Sequence, residues 1–338
     1  MNGELIRQTA SGAMVTRTPR RPQDSLLCNM ELPLRGQFYP LGYPVEIRTN
    51  DAAVLEAAND SFGHVRSSRD SAILQVRIGV IDEGGPDCPP EPTRREYNHL
   101  FSLVADVNNQ ALLDLSTYIN FTWLTRAAAH NRLYLRYNFL EKVVYLLLGA
   151  SVVTDLHAAC IGKKGKSILL CGDSGAGKST LAYACARAGW TYTSDDTSYL
   201  INNSDPPRVI GHSHRARFRP SAKFLFQELA HHPLTPRLEG KPSIEVPISE
   251  LPVSSTSSEA MIHSIVYLHR CPSAKTNLVR LPRGTATQRA CHELYSAGDV
   301  RVKHESILEV LSDIPTYELQ YYDLTEAEQA LAVLVRSE

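Results

Sequence analysis

Residues 169–190 read LLCGDSGAGKSTLAYACARAGW, and this stretch constrains the fold more than any other. SILLCG is a short apolar run of strand type, three glycines follow within six positions, and the alanine-rich segment after them has no proline and stops at Gly189, as a helix ended by glycine does. Strand, glycine loop and helix in that order predict an α/β domain. Gly172, Asp173, Ser174, Gly175, Ala176, Gly177, Lys178 and Ser179 fit the G-x-x-x-x-G-K-[ST] pattern, in which glycines let backbone N–H groups close on a polyphosphate. With Thr180 they form the expected nucleotide-binding set. Lys178 would reach the β- and γ-phosphates and Ser179 would ligate Mg²⁺, so ATP and Mg²⁺ are the expected cofactors.

The 338 residues suffice for two domains with cores of their own, and 43% hydrophobic with 21% charged residues is ordinary for a soluble protein. A net charge of −1 gives no bulk attraction to nucleic acid or to an anionic membrane, and neither is expected as a partner. The longest apolar run, Val143 to Val153, falls short of the ~18 residues of a membrane span. MNGELIRQTASG has no signal-peptide core. Seven cysteines show no framework spacing; Cys160, Cys171 and Cys185 lie in apolar segments and read as reduced core thiols. A cytoplasmic protein is expected, with homo-oligomerisation left open.

Residues 1–30, with their basic RTPRR, read as a flexible arm. A small α+β domain is expected over 31–137. It would contain a helix from AAVLEAANDSFG capped by Thr49 or Asn50, a strand in SAILQVRIGVID, a loop over Glu83–Thr93 and a hairpin from Leu100 to Leu115. At Asn138 the pattern changes to a long buried helix feeding a strand, which sets the boundary near 137 and a second domain over 138–338. There GKKGK is a turn, WTYTSDDTSYLI a strand crossing two aspartates, HSHRARFRPSAKF a basic strand or loop, and LPVSSTSSEA a surface linker. MIHSIVYLHR is a core strand, and Thr325 to Glu328 a capping box opening the last helix.

The glycine loop holds phosphate without saying what becomes of it, so the Asp195-Asp196 pair matters more. Successive strand side chains point to opposite faces, so two adjacent aspartates at a strand end can serve different tasks, one toward metal or phosphate and one toward a neighbouring group. Two solvated turn acids would look the same. His157, in DLHAACIG, precedes the turn into the loop's strand; a lone histidine beside an apolar run is more often a boundary residue than a functional one.

The stretch from His157 to Asp196 resembles the catalytic core of the HPr kinase/phosphorylase family: an upstream histidine, a GxSGxGKS loop and an Asp-Asp pair. Here His157 stands 21 residues before Lys178 and Asp195 stands 17 after it. The resemblance is strong over about forty residues, loose from about 138 to 270, and does not extend to the N-terminal domain. It implies a P-loop kinase domain with a mixed sheet, similar to phosphoenolpyruvate carboxykinase, transferring the γ-phosphoryl group of ATP to a hydroxyl, typically a protein serine. Asp195 would take the acceptor's proton, Asp196 and His157 would tune it, Ser179 and Asp196 would hold Mg²⁺, and Lys178 would neutralise the transferred group. The acceptor is expected to be a protein or peptide with a serine hydroxyl, or a small-molecule alcohol; a nucleotide-sensing ATPase without an acceptor is the competing reading. Where the family carries a Glu-Ile-Arg-Gly stretch this chain has RARFRPSA, with Arg215, Arg217 and Arg219 at alternate positions and no preceding glutamate. Arg217, Arg219 and Lys241 are the expected phosphate or acceptor contacts, and weak phosphorolysis is expected.

Overall fold

The computed structural model describes residues 30–338 apart from 68, 83–84, 236–241, 273–274, 295, 297 and 337–338, together with the backbone of the strands at 5–8 and 14–17. The chain divides between Ser151 and Val152, with Ala297–Val300 counted with the first unit. The expected boundary near 137 is therefore about one helix too early. The apolar pattern that changes at Asn138 belongs to a helix of the first unit, and the change marks a new element and not a new domain.

Among the described residues the first unit holds nine strands, β1 (Leu5–Gln8), β2 (Met14–Arg17), β3 (Leu34–Phe38), β4 (Val45–Thr49), β5 (Leu74–Ile81), β6 (Thr93–Tyr97), β7 (Leu100–Asp106), β8 (Asn109–Asp114) and β9 (Ile119–Thr125). They form one mixed sheet in the order β1-β2-β3-β4-β5-β9-β8-β7-β6, parallel only across β4, β5 and β9. The expected α+β character is present, but the sheet is larger than the sequence suggested. It begins inside the predicted arm, where β1 and β2 pair antiparallel with a register shift between Leu5 and Arg7; the rest of that arm lies outside the described residues. α1 (Ala52–Phe62) is capped by Asp51, whose carboxylate accepts the Ala53 N–H at 2.9 Å, and not by Thr49 or Asn50. Asn50 is occupied elsewhere: its amide accepts the Val80 N–H and donates to the Val80 carbonyl, supplying two rungs beside β5. α2 (Arg126–His130), α3 (Arg132–Leu135), a π-helical turn over Arg136–Leu140 and α4 (Glu141–Ser151) complete the unit.

The second unit contains β10 (Val153–Leu156), β11 (Ala158–Lys163), β12 (Lys166–Cys171), α5 (Lys178–Arg187), β13 (Thr191–Ser194), β14 (Ser198–Ile201), β15 (Arg208–Gly211), β16 (Arg215–Phe218), β17 (Ile244–Pro247), β18 (Glu259–Arg270), β19 (Asn277–Arg280), α6 (Thr285–Glu293), most of α7 (Gly298–Leu308, from Arg301 on), β20 (Thr316–Tyr321) and α8 (Leu324–Leu334). Its main sheet runs β10-β14-β15-β18-β12-β11-β13, with β20 also paired to β18 and β19 to β20. β12, β18 and β20 are parallel. Both faces are covered. Ile168 and Leu170 pack with Leu181 of α5 and Leu331 of α8, while the intervening Leu169 packs with Ala286 of α6 and Leu308 of α7. That continuous apolar run, rather than an alternating one, is what a sheet buried on both sides requires.

GKKGK forms the predicted turn, with Lys164 at φ 54° and Gly165 at φ 79° joining β11 to β12 in a two-residue hairpin. Two expectations fail locally. WTYTSDDTSYLI is two strands, β13 and β14, with the aspartates in the bend between them. α8 is capped by Asp323, which accepts the N–H groups of Thr325 and Glu326. Glu328, expected in a capping box, instead accepts from the Trp190 indole at 2.6 Å and from Lys163 at 3.1 Å. LPVSSTSSEA is also tied down: Ser255 and Ser257 exchange backbone hydrogen bonds with Tyr192 of β13. Among the described residues, no helix is long and apolar enough to cross a membrane.

Candidate functional site

β11 runs antiparallel to both β12 and β13, so the start of β11 meets the ends of the other two. The residue before β11 is His157, the residues after β12 are the glycine loop, and those after β13 are Asp195 and Asp196. One edge of the sheet thus gathers every catalytic residue expected from the sequence, in the lateral order carboxylates, histidine, loop.

The loop has the backbone its glycines predict. Gly172, Gly175 and Gly177 have φ of 143°, 96° and 100°, conformations that side-chain-bearing residues rarely adopt. A Cβ on Gly172 would lie 3.1 Å from the Leu268 carbonyl oxygen of β18, and one on Gly177 would run into the Tyr321 hydroxyl. That hydroxyl donates to the Ala176 carbonyl at 2.8 Å, so the last residue of β20 pins the loop from beside it. Gly177 leads directly into α5, placing Lys178, Ser179 and Thr180 in its first turn, where backbone N–H groups have no intrahelical partner.

Lys178 is 5% exposed. Its ammonium donates to the Gly172 carbonyl at 2.6 Å and lies 2.9 Å from Nε2 of His157. With the ammonium donating, Nε2 is the acceptor and the imidazole carries its proton on Nδ1. Nδ1 faces Asp196, 3.7 Å from Oδ1. Burial pushes the lysine pKa down, while the Asp196 charge opposes that shift. Glu293, at the end of α6, acts on Lys178 in the same sense as Asp196. Nothing in the sequence flagged that glutamate, because its approach depends on helix packing.

The adjacent aspartates have different surroundings. Asp196 is half-exposed, whereas Asp195 is 7% exposed and accepts the backbone N–H of Arg217 at 2.7 Å. Burial raises the Asp195 pKa to about 6; the neighbouring Asp196 charge raises it too, and the Arg217 N–H pulls the other way. The bend is fastened by hydroxyls: Ser194 and Ser198 are 2.7 Å apart, and Ser198 donates to the Ala158 carbonyl, next to His157, at 2.9 Å. Gly211 lies so close to the Thr193 carbonyl that a Cβ there would collide with it. This close approach carries the segment after β15 over Asp195.

The arginines fall differently from expectation. Arg217 reaches Asp195 through its backbone, while its guanidinium lies 2.8 Å from Glu245, its cross-strand neighbour on β17. A glutamate does stand beside the arginine, then, but it comes from 28 positions downstream through strand pairing. Arg219 is exposed just beyond β16, and Lys241 lies outside the described residues.

Ser179 and Asp196 suit Mg²⁺, an ion that takes few protein ligands alongside phosphate oxygens and water. The glycine conformations, the open helix terminus and Lys178 suit a polyphosphate.

No family model matches the chain, and no curated protein matches it. Among solved structures it is similar to the Hpr(Ser) kinase/phosphatase from Coxiella burnetii, with 12% identity and a TM-score of 0.31, over 53% of this chain and 89% of that one. A likeness of that size does not distinguish one activity from another.

Proposed function

We propose that the second unit is an ATP-dependent kinase that transfers the γ-phosphoryl group to a serine-type hydroxyl of a protein or peptide. The observation that carries this reading is the meeting of a loop-held ammonium, Lys178, with a buried carboxylate of raised pKa, Asp195, at one sheet edge beside His157 and Asp196. The choice of a serine acceptor rests on the sequence resemblance of residues 157–196.

Asp195 takes the acceptor's proton as the new O–P bond forms and the bond to the departing ADP breaks. A pKa of about 6 keeps it mostly ionised at neutral pH yet far more basic than an ordinary aspartate, which favours general base catalysis. The loop N–H groups and Lys178 offset the charge on the transferred group. His157 lies between Lys178 and Asp196, 2.9 Å from the ammonium and 3.7 Å from the outer carboxylate. Mg²⁺, held by Ser179 and Asp196, would draw charge from the phosphate oxygens. Because the Arg217 guanidinium is engaged by Glu245, it is poorly placed to seat an incoming inorganic phosphate. Pyrophosphate formation from the phosphorylated acceptor should therefore be slow relative to the forward reaction.

The test is incubation of the full chain with γ-labelled ATP and a cell extract, followed by phosphosite mapping. Label on a serine supports the proposal. Label only on small alcohols, or stoichiometric phosphate release with no labelled acceptor, overturns it in favour of a small-molecule kinase or an ATPase.

A further inference from the structure

The edge that carries the loop continues past it. Beyond β12 lie the carboxyl ends of β18 and β20, giving the lateral order Asp195-Asp196, His157, glycine loop, Arg270, Tyr321-Tyr322. The loop therefore has two flanks. One holds the carboxylates and histidine; the other is two strand spacings wide, about 10 Å. On that second flank Arg270 and Tyr322 are both exposed, Tyr322 at 53%, with the Arg270 guanidinium 5.6 Å from the Tyr322 ring centroid. Arg270 follows Val266 and Leu268 on the sheet face that packs against α5, the face from which the loop enters its helix. Its charge reaches the Tyr321 hydroxyl that pins Ala176.

We infer that the Arg270–Tyr322 pair is a shelf on which the base of the bound nucleoside triphosphate stacks. This rests on the kinase reading of the loop. A triphosphate whose γ end points toward Asp195 must direct its nucleoside toward the opposite flank, and in open α/β sheets ligands lie outside the carboxyl ends of the strands. A planar guanidinium over a phenol ring presents extended flat surfaces to a nucleobase, which stacks on arginine and aromatic faces alike. Neither side chain lies in the core, so the pair can be altered without opening a cavity.

The experiment compares calorimetric affinities of the full chain for ATP and for inorganic tripolyphosphate, which shares the phosphates but has no base. Tyr322→Ala and Arg270→Ala should each weaken ATP binding roughly 5- to 150-fold and leave tripolyphosphate affinity unchanged. Tyr322→Phe, which keeps the ring, should bind ATP like the parent. Unchanged ATP affinity in both alanine variants overturns the shelf while leaving the loop reading intact. Equal losses for ATP and tripolyphosphate in Arg270→Ala overturn it in favour of a phosphate contact. Failure of the parent chain to bind either ligand removes the kinase reading itself, and the shelf with it.

Discussion

Asn120 in the first unit and Asp195 in the second are almost equally hidden from solvent, at 2% and 7% exposure, yet they are satisfied in different ways. Asn120 bonds to backbone, accepting the Arg77 N–H and donating to the carbonyls of Gln75 and Tyr118. Asn50 does the same with Val80. These amides carry no charge at any pH and act as extra rungs of the sheet. Asp195 shares its edge with Asp196, His157 and Lys178, and the Asp196 charge acts on the pKa of both Asp195 and Lys178. Neutral buried groups hold a fold together, whereas clustered ionisable ones spend stability on reactivity.

The strongest test of that contrast is Asp195→Asn, which preserves shape and removes the proposed base. Phosphoryl transfer should fall roughly 10²–10⁴-fold while ATP affinity changes only a few-fold. Full activity would shift the base role away from Asp195. The same variant tests the energetic half of the comparison. The folded pKa of about 6 lies above the unfolded 3.8, so the folded state keeps its proton to higher pH. Stability from this group is present below about pH 4 and is lost as pH rises to about 6, by about 3 kcal/mol at ~1.4 kcal/mol per pKa unit. Urea unfolding at pH 4 and pH 8 should show Asp195→Asn gaining on the parent at the higher pH; parallel pH dependences would contradict the assignment.

Lys178→Ala should reduce transfer by about 10²–10³-fold and also weaken ATP binding, separating it from Asp195→Asn. Titration calorimetry beside a thermal melt checks both, and unchanged affinity and turnover would remove the loop assignment. In the first unit, Asn120→Ala leaves the Arg77 N–H and Gln75 carbonyl short of a partner and should cost about 1–3 kcal/mol in unfolding free energy. ATP affinity measured well below the melting transition should not change; a large loss there would break the division of labour. The smallest effect is expected for Tyr321→Phe, which removes the 2.8 Å bond to the Ala176 carbonyl. A loss of about 1 kcal/mol would raise the ATP Kd about fivefold with kcat unchanged.

Local chemistry decided much of what was legible in the sequence. The glycine loop, the strand before it and the helix after it follow from apolar patterning and from conformations open chiefly to glycine, as do the GKKGK turn and the hairpin from Leu100 to Leu115. The spacing of His157, Lys178 and Asp195 identified residues that share one sheet edge, since a hairpin and an antiparallel return fix which strand ends coincide. The helix caps were misread for a different reason from the domain boundary, where a change of pattern marked only a new helix. A carboxylate or hydroxyl near a helix start has several partners within reach, and only packing chose Asp51 and Asp323 for capping and Glu328 for Trp190.

Contacts between residues distant in sequence belonged to the tertiary structure alone. Burial, and not residue type, separates Asp195 from Asp196. Strand pairing brings Glu245 to Arg217 and sets the Arg217 N–H on Asp195. Parallel pairing of β18 and β20 places Tyr321 on the loop and Arg270 on its far flank. The sequence by itself determined which residues are the candidates for holding phosphate and moving a proton. Which carboxylate loses its water, and which arginine is left for a ligand, depends on desolvation and register, and both arise only when remote strands come together.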